Sequence, residues 1–586
     1  MKKKLVAIWV ENYMQIQKQG FNFGSNNTFN FSFNEEKRSL TITTEKVENY
    51  FDLFKNDSFI TNITGIVGIN GSGKTSLLKL LNNLSAGKYS SHQPSVVLIF
   101  EENTSYNFYI PSKKVTLSLD FINVIWGGIK YENPFKYFDL IFYSSTLSSQ
   151  NDKYLDNEDK PNMLNRSASY QFMQSLNIHK LENYIRSHKK QYNENRIISY
   201  KVFNPLKLYE KDKLERQIKF LNWANILTKN NLYSIIGDIT IPSQITIWFE
   251  EDEQSLDMIL NSITDNKNDL IKSYSDCIQK NHKILDLKKR LLDRIFFYLD
   301  MVSYNHPKAK ERKSLLDFFN AYLNNTDRGD FSTFDGKKER LKSLITPIQI
   351  TQNKTSDQQT INITINYNAW AFLSFLFDIF RYIPLELNYS LNPKSTGEEA
   401  FITQFSEFYT AITHLIKSPN KSNVIISIDE GESYFHPEWQ RKYIHHLYTF
   451  FDLISKELRL NKSFQLIITS HSPFIVSDIP HYNIIKLNKD EKGNCEVVQS
   501  KKATLGGNIF ELFEDDFYVN EFISAFAFEK IKQAILFLQG KESSFTIEDV
   551  KAFIPNIGES LIRNQLEKML ERYENNSRDF ETVELG

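Results

Sequence analysis

Cysteine is almost absent from the 586-residue sequence, which contains only Cys277 and Cys495. Two cysteines so far apart cannot form a disulfide framework, and they are too few for a tetrahedral zinc site. Glycine is also scarce, with 20 residues, so a cluster of glycines carries more information than usual. The low cysteine content is typical of a protein from a reducing compartment.

The sequence also lacks an excess of charge of either sign and a long uncharged apolar run. Its 70 Lys and Arg against 71 Asp and Glu give a net charge of −1, which excludes a polybasic binder but not a local patch. The most apolar stretch, residues 369–385, contains Asp378 and Arg381 and predicts a buried helix rather than a membrane span. The apolar run at residues 5–10 is too short for a signal peptide. We expect a soluble, cytoplasmic protein without a membrane partner.

Length and composition predict more than one domain. A single domain usually has about 100–200 residues, and the 41% apolar residues of this chain are enough for substantial cores. In the second predicted segment, apolar residues recur at 287, 291, 295 and 299, as on one helix face. The segments are residues 1–150, rich in strand patterns; 151–344, a helical insertion; 345–500, where strands return; and 501–586, a helical tail.

Apolar runs and period-two alternation predict the individual strands. They lie near residues 5–10, 29–33, 41–42, 63–67, 96–100, 115–121, 140–143, 361–365, 424–428, 465–469 and 484–487. Because helical stretches separate the later strands, those strands should pair in parallel. The sequence therefore predicts an α/β fold, with a mixed and parallel sheet, flanking helices and a helical insertion.

The most informative glycines lie in the run Gly-Ile-Asn-Gly-Ser-Gly-Lys-Thr at residues 68–75, which matches the P-loop (Walker A) pattern in full. The glycines allow backbone N–H groups to converge on phosphate oxygens, Lys74 reaches the β- and γ-phosphates, and the Thr75 hydroxyl ligates Mg²⁺. The alternative is a chance glycine turn. We predict an ATP and Mg²⁺ site formed by Gly68, Asn70, Gly71, Ser72, Gly73, Lys74, Thr75 and Ser76.

A second motif combines an apolar strand with two carboxylates. Residues 424–430 read Val-Ile-Ile-Ser-Ile-Asp-Glu, so Asp429 and Glu430 follow directly after the strand. This is the Walker B arrangement, in which the first carboxylate holds Mg²⁺ and the second polarises the attacking water. A strand with a solvated acidic end would have the same pattern, but the P-loop upstream favours the catalytic interpretation.

Two further candidates lie at the end of a strand and the start of a helix. His471 lies in the run Thr-Ser-His-Ser, after the apolar strand that follows Asp429. Ser395 opens a helix in the run Lys-Ser-Thr-Gly-Glu-Glu, with Glu398 at the capping-box position. A structural histidine and an ordinary helix cap are the alternatives at these two positions.

In this order the four motifs resemble those of the ABC-type ATPases of the SMC, RecF and OLD group. The resemblance covers roughly residues 1–150 and 345–500, and it implies a P-loop ABC-type nucleotide-binding domain. It also implies that His471 is the switch histidine, which contacts the γ-phosphate, and that Glu430, His471 and Lys74 are the catalytic residues. The family forms head-to-tail dimers, so the resemblance implies a homodimer or a higher homo-oligomer.

The run around Ser395 is similar to the signature motif of this group. The family pattern has Leu and a second Gly where this chain has Lys394 and Thr396, so the match is degenerate. The resemblance implies that Ser395, Gly397 and Glu398 contribute to nucleotide binding. The helix start would then donate hydrogen bonds to the γ-phosphate held by another subunit.

A finer resemblance lies in short phrases at residues 11–13, 431–438, 505–512 and 557–559. They are similar to phrases in the AAA-family ATPases of bacterial anti-phage systems, the PtuA-type ATPases of Septu and related retron systems. This resemblance implies an ATPase that regulates a separate nuclease subunit of the HNH type. The alternative is a RecF- or SMC-like ATPase of DNA maintenance that binds DNA or DNA ends, and a nucleic-acid partner is compatible with both.

Other family features lack a clear match in the sequence. Gln150 is the nearest candidate for the Q-loop residue, but it could equally be a surface residue. No Cys-x-x-Cys zinc hook occurs. The acidic run at residues 514–516 and the pair His445 and His446 do not make a nuclease motif. We therefore predict an ATPase without a nuclease site of its own, and the large insertion argues against a transporter cassette.

Overall fold

The computed structural model divides into two units, Met1–Leu512 and Phe513–Gly586, which are described separately. The described residues are 2–54, 59–87, 94–102, 105–111, 115–120, 125–145, 163–171, 205–228, 244–249, 267–304, 315–324, 335–352, 361–364, 367–380, 387–391, 395–416, 421–499, 502–517 and 523–584.

The strands and helices of these residues are numbered in chain order. The strands are β1 Lys3–Tyr13, β2 Ile16–Asn22, β3 Asn27–Asn34, β4 Ser39–Lys46, β5 Ile60–Gly68, β6 Val96–Glu102, β7 Ser105–Tyr109, β8 Thr116–Asp120, β9 Ile125–Lys130, β10 Phe138–Ser144, β11 Met163–Asn165, β12 Gln244–Phe249, β13 Ile350–Gln352, β14 Ile361–Thr364, β15 Leu387–Leu391, β16 Asn423–Asp429, β17 Ser463–Thr469, β18 Ile484–Lys489 and β19 Cys495–Val498. The α-helices are α1 Lys74–Ser85, α2 Pro205–Thr228, α3 Lys267–His282, α4 Leu287–Tyr304, α5 Leu315–Asn324, α6 Asp335–Ile345, α7 Tyr367–Phe380, α8 Thr396–Leu415, α9 Pro437–Arg441, α10 Tyr443–Glu457, α11 Pro473–Ser477, α12 Ile509–Phe517, α13 Ala525–Leu538, α14 Ile547–Phe553 and α15 Ser560–Glu584.

A seven-stranded sheet forms the centre of the first unit, in the order β11-β10-β16-β17-β5-β18-β19. Its strands pair in parallel, except that β19 runs antiparallel to β18. Strands β16 and β17 are buried along their whole length, as expected when helices cover both faces of a parallel sheet. The predicted strands are present, and the predicted parallel pairing and α/β class are confirmed.

The register of this sheet aligns the carboxyl ends of three neighbouring strands. Asp429 at the end of β16 pairs with Thr469 at the end of β17. Thr469 in turn pairs with Ile66 near the end of β5, the strand that leads into the P-loop. Ligand sites of parallel α/β sheets lie at this edge, so the register brings the predicted motifs together.

Three smaller sheets complete the unit. They have the orders β2-β1-β6-β7-β9, β3-β4-β8 and β13-β14-β12-β15. One face of the seven-stranded sheet packs with β1 and α1 in an apolar core that includes Ile8, Leu77, Leu81, Ile425 and Ile467. This core fixes α1 under the sheet, and therefore fixes the P-loop that precedes the helix.

The predicted helical insertion contains helices, among them α4 with the buried residues Leu291 and Ile295, but it also contains strands. Strand β11 extends the seven-stranded sheet beside β10. Strand β12 lies between β14 and β15, with Ile245 and Ile247 fully buried. Its six residues carry the alternation of a strand, but both partner strands come far later in the chain, so local sequence gave no sign of the pairing.

The second unit is helical. Its helices α13, α14 and α15 share a small apolar core that includes Ala534, Val550, Ile554 and Leu566. Helix α14 begins with a capping box between Thr546 and Asp549. Among the helices that the structure describes in either unit, none combines the length and the apolar character that a membrane span requires.

Candidate functional site

The P-loop connects β5 to α1, and its backbone depends on glycine. Gly68, Gly71 and Gly73 have φ values of 144°, 73° and 102°, a region that other residues rarely adopt. A Cβ on Gly68 would also lie 1.9 Å from the carbonyl oxygen of Leu487 on the neighbouring strand. The loop therefore needs glycine both for its left-handed turns and for its close approach to β18.

Lys74 is the first residue of α1, and it is almost completely buried. Its ammonium group donates hydrogen bonds to the carbonyl oxygens of Gly68, at 2.9 Å, and Ile69, at 3.2 Å. Burial lowers the pKa of Lys74, whereas the nearby carboxylates of Glu430 and Asp429 raise it. The lysine is thus held inside the loop by carbonyl groups that a phosphate can replace as hydrogen-bond acceptors.

Ser72 lies inside the same loop and is fully buried. Within the described residues, its hydroxyl oxygen has no hydrogen-bond partner. A buried polar atom without a partner costs free energy, so a ligand that supplies the partner would be stabilised here. Phosphate oxygens fit this requirement, because they accept hydrogen bonds from hydroxyl groups and the P-loop pattern is one that binds phosphate.

Asp429 faces the P-loop from the end of β16. Its Oδ1 atom accepts hydrogen bonds from the hydroxyl groups of Thr75, at 3.1 Å, and Thr469, at 2.7 Å. Burial is the main cause that raises the pKa of Asp429. A divalent cation would offset the cost of this buried carboxylate, and a hydroxyl with one carboxylate matches Mg²⁺ sites that are completed by phosphates and water. The residues therefore fit the predicted Mg²⁺ site.

Glu430 and His471 form the exposed side of the cluster. The Nε2 atom of His471 lies 3.3 Å from Oε1 of Glu430, and the hydrogen bond from the histidine lowers the pKa of Glu430. Glu430 has a φ of 48°, and its backbone N–H donates to the hydroxyl of Thr469 at 3.1 Å. This strained backbone is consistent with a functional constraint, because a non-glycine residue at positive φ is uncommon.

Ser395 caps helix α8 as the sequence predicts. Its hydroxyl accepts a hydrogen bond from the backbone N–H of Glu398 at 3.2 Å, and the Glu398 carboxylate accepts from the Ser395 N–H at 2.9 Å. Ser395 is exposed, and in the described part of the chain no hydrogen bond joins it to the P-loop. Gly397 instead lies against the loop after β16, where a Cβ would be 3.2 Å from the carbonyl oxygen of Tyr434.

Several residues of the site were not predicted from the sequence. Thr469 bridges Asp429 and Glu430, although only its place before His471 marks it in the sequence. The side-chain oxygen of Gln15, in the turn between β1 and β2, accepts a hydrogen bond from the predicted site residue Ser76 at 2.7 Å. No local signal identifies Gln15, because the contact depends on how the hairpin packs against α1.

Two buried or nearby charges were also not predicted. Lys489 ends β18, and its ammonium group would lie 2.9 Å from a Cβ on Gly71 of the P-loop. Glu432 lies two residues after Glu430 and is buried, which raises its pKa to about 7. Its Oε1 atom accepts a short hydrogen bond from the hydroxyl of Ser470.

The other residues considered in the sequence are Gln150, Lys394, His445 and His446. Gln150, the candidate Q-loop residue, and Lys394 lie outside the described residues. His446 is buried in α10 and His445 is exposed on the same helix. The described residues contain no cluster of three His, Cys, Asp or Glu side chains that could hold a metal ion by themselves. The cluster of carboxylates and hydroxyls at the P-loop would therefore hold a cation together with a phosphate ligand.

Comparisons with known proteins cover the same region. A model of the AAA ATPase domain matches residues 8–476. Among solved structures, the chain is similar to the recombination mediator protein RecF-ATPrS in the RecFOR pathway, with 10% identity, 85% of this chain and 98% of that chain covered, and a TM-score of 0.24. It is also similar to the recombination mediator protein RecF-ATP in the RecFOR pathway, with 10% identity, 80% of this chain and 94% of that chain covered, and a TM-score of 0.22. The family match spans every motif of the site, from the P-loop to His471.

Proposed function

The chain belongs to the AAA ATPase domain family, and from this premise we propose that it hydrolyses ATP between two head-to-tail copies and thereby controls a separate nuclease. The observation that carries the proposal is the convergence of the P-loop, Asp429, Glu430 and His471 on one edge of the seven-stranded sheet. Each group required for phosphoryl transfer to water has a candidate there.

The chemistry of the site follows from its geometry. Lys74 and the P-loop N–H groups would bind the β- and γ-phosphates, while Thr75 and Asp429 would hold Mg²⁺, which neutralises the phosphate charge when bound. Glu430 is ionised at neutral pH, as an ordinary glutamate is, and the hydrogen bond from His471 lowers its pKa further. It can therefore orient the attacking water and accept its proton.

The proposed dimer accounts for the position of Ser395. An exposed helix start presents N–H groups and the positive end of the helix dipole, which favour an anion. Because Ser395 makes its cap hydrogen bonds with Glu398 and none with its own P-loop in the described residues, a second copy would have to supply the nucleotide. We call the place where the P-loop of one copy faces the Ser395 helix start of the other the dimer seam. Two such seams would form in a symmetric dimer.

The proposed link to a nuclease rests on the resemblance to the PtuA-type ATPases. One of the similar phrases, residues 431–438, directly follows Glu430 and lies against Gly397 at the start of α8. The phrase therefore lies between the proposed hydrolytic centre and the proposed dimer seam. A segment in that place could transmit the nucleotide state to a partner of the HNH nuclease class that anti-phage ATPases control.

The experiment is a pull-down of the tagged chain from its native operon, with and without ATP. We expect a small His-rich nuclease to co-purify with the wild-type protein and with Glu430→Gln. Lys74→Ala is the matched control, since it should not hold the ATP-bound state. ATP-dependent capture of DNA without a nuclease would instead favour a RecF- or SMC-like role in DNA maintenance, and the absence of ATP hydrolysis by the purified wild type would contradict the proposal as a whole.

A further inference from the structure

Glu432 is a buried carboxyl group that the hydrolytic mechanism above does not use. Glu432 is 3% exposed, and within the described residues its side-chain hydrogen bond is with the hydroxyl of Ser470 rather than with a lysine or an arginine. One carboxyl oxygen, Oε2, has no hydrogen-bond partner there. Burial of an unpaired carboxyl group costs free energy, and an apolar residue would avoid that cost. Its contacts therefore need an explanation beyond packing.

On one side, Glu432 contacts the turn that carries His471. The hydroxyl of Ser470 donates to Oε1 of Glu432 and accepts from the backbone N–H of Ser472 at 2.9 Å. The N–H of Ser470 donates to the carbonyl oxygen of Ile66 on β5 at 3.1 Å. The backbone of Ser470, just before His471, is thus held by β5, and its hydroxyl contacts Ser472, just after His471. Glu432 is the acceptor that orients the Ser470 hydroxyl.

On the other side, the same loop lies against helix α8, which begins after Ser395. A Cβ on Gly431 would be 2.4 Å from Nε2 of Gln404, on α8, and 2.5 Å from the hydroxyl of Tyr443. Gln404 donates to that hydroxyl at 2.5 Å in a buried contact. The loop has no free space at this point, so a shift of its backbone would require α8 or α10 to move as well.

We infer that Glu432 is a positioning residue that sets the place of His471 through Ser470, and that the loop from Gly431 to Phe435 couples this turn to helix α8. The inference rests on the proposed function, since it assumes that His471 contacts the γ-phosphate and that Ser395 closes the dimer seam. Under this coupling, contact of His471 with the γ-phosphate favours the α8 position that closes the seam.

The positioning role of Glu432 is tested by a double-mutant cycle with Glu432→Ala and Ser470→Ala. Each single variant should lose about tenfold or more in kcat, and the double variant should lose no more than the worse single one, because both remove one hydrogen bond. The affinity for a non-hydrolysable ATP analogue should stay within about twofold, since the P-loop is unchanged. Glu432→Gln should retain most of the activity, because its amide oxygen still accepts from Ser470. Ser470→Ala removes only one atom, so its own loss of kcat still tests the positioning role if Glu432→Ala folds poorly, and wild-type kcat in Ser470→Ala would overturn that role.

The matched control is Glu438→Ala. Glu438 lies in the same segment, but its carboxylate is exposed and pairs with Arg441 at 2.6 Å. Because surface ion pairs contribute little to stability, this variant should keep wild-type kcat and analogue affinity. A loss of activity in the control would show that the whole segment is sensitive and would overturn a specific role for Glu432.

The coupling of the loop to helix α8 is tested by Tyr443→Phe, which removes the hydroxyl that Gln404 contacts and keeps the ring. Analogue affinity should be unchanged, while formation of the dimer with the analogue should weaken by about tenfold. Normal dimerisation would overturn the coupling through α8. Additive losses of kcat in the double-mutant cycle would overturn the positioning role of Glu432. Losses of analogue affinity and of thermal stability as large as the loss of kcat would overturn it as well.

The failure of this inference is distinguishable from the failure of the proposed function. If the wild type hydrolyses ATP and Glu430→Gln does not, while Glu432→Ala and Ser470→Ala match the wild type, only the inference fails. If the wild type itself does not hydrolyse ATP, the proposed function fails and the inference fails with it.

Discussion

A substitution of Ser395 by arginine separates a signature serine from an ordinary helix cap. The change removes the hydroxyl that accepts a hydrogen bond from the Glu398 N–H at 3.2 Å. It leaves the hydrogen bond from the backbone N–H of residue 395 to the Glu398 carboxylate. Loss of one exposed cap costs about 1 kcal/mol. With an unfolding entropy of about 2.1 cal/mol/K per residue, the first unit would lose only about 1 °C in Tm.

Hydrolysis by Ser395→Arg should fall far more than stability, by about a hundredfold or more, because a long side chain would stand in the seam at the γ-phosphate. The assay is phosphate release at saturating ATP, together with a melting curve without nucleotide. Mixing this variant with Lys74→Ala gives a sharper result. Half of the dimers would then contain one intact seam, so about one quarter of wild-type activity should return if each seam works independently.

The matched control is Thr546→Arg, which alters an exposed capping box, formed with Asp549, in the helical second unit. It should cost a similar amount of stability and leave hydrolysis unchanged. Full hydrolysis by Ser395→Arg alone would refute the reasoning, since the serine would then be only a cap. A failure of the mixture to regain activity would instead contradict the head-to-tail arrangement.

Other predictions concern the buried charges of the site. Lys74→Ala should lose measurable ATP binding in a fluorescent-nucleotide titration, because phosphate oxygens would lose their buried cation, and unchanged affinity would refute the P-loop assignment. Burial raises the pKa of Glu432 to about 7 in the folded protein, against 4.5 for the ordinary group. Between these two pH values the carboxyl group is protonated in the folded protein and ionised in the unfolded chain. The wild type therefore loses stability as pH rises from about 5 to about 8. Glu432→Gln should therefore melt at a higher temperature than the wild type at pH 8 by about 3 °C, a difference on the order of 3 kcal/mol, and by little at pH 5. A difference that does not change with pH would contradict this account.

The sequence predicts the parts of the site that local patterns encode. Strand β5, the glycine run and α1 are contiguous, so their pattern contains nearly all of the P-loop geometry. The carboxylates of Asp429 and Glu430 end an apolar strand, and parallel pairing then brings them beside Thr75. The capping box of Ser395 could also be predicted, because its two hydrogen bonds span only three residues.

The remaining parts depend on contacts between distant segments. Gln15 reaches Ser76 only because the β1–β2 hairpin packs against α1. Strand β12 needs partners that follow it by more than a hundred residues, so its pairing leaves no local pattern. The burial of Glu432 is not apparent either, because an acidic residue after Walker B normally suggests a solvated loop.

ATP hydrolysis at a head-to-tail dimer interface is tested by the mass of Glu430→Gln in solution, measured by light scattering with Mg·ATP, with Mg·ADP and without nucleotide. The amide is nearly isosteric with the carboxylate but cannot accept a proton from water, so ATP should stay bound and uncleaved. Hydrolysis at this interface predicts a dimer that forms with Mg·ATP alone and that contains one uncleaved ATP at each seam, while the wild type releases phosphate. A variant that hydrolyses ATP at the wild-type rate, or that has the same mass in all three conditions, would contradict it.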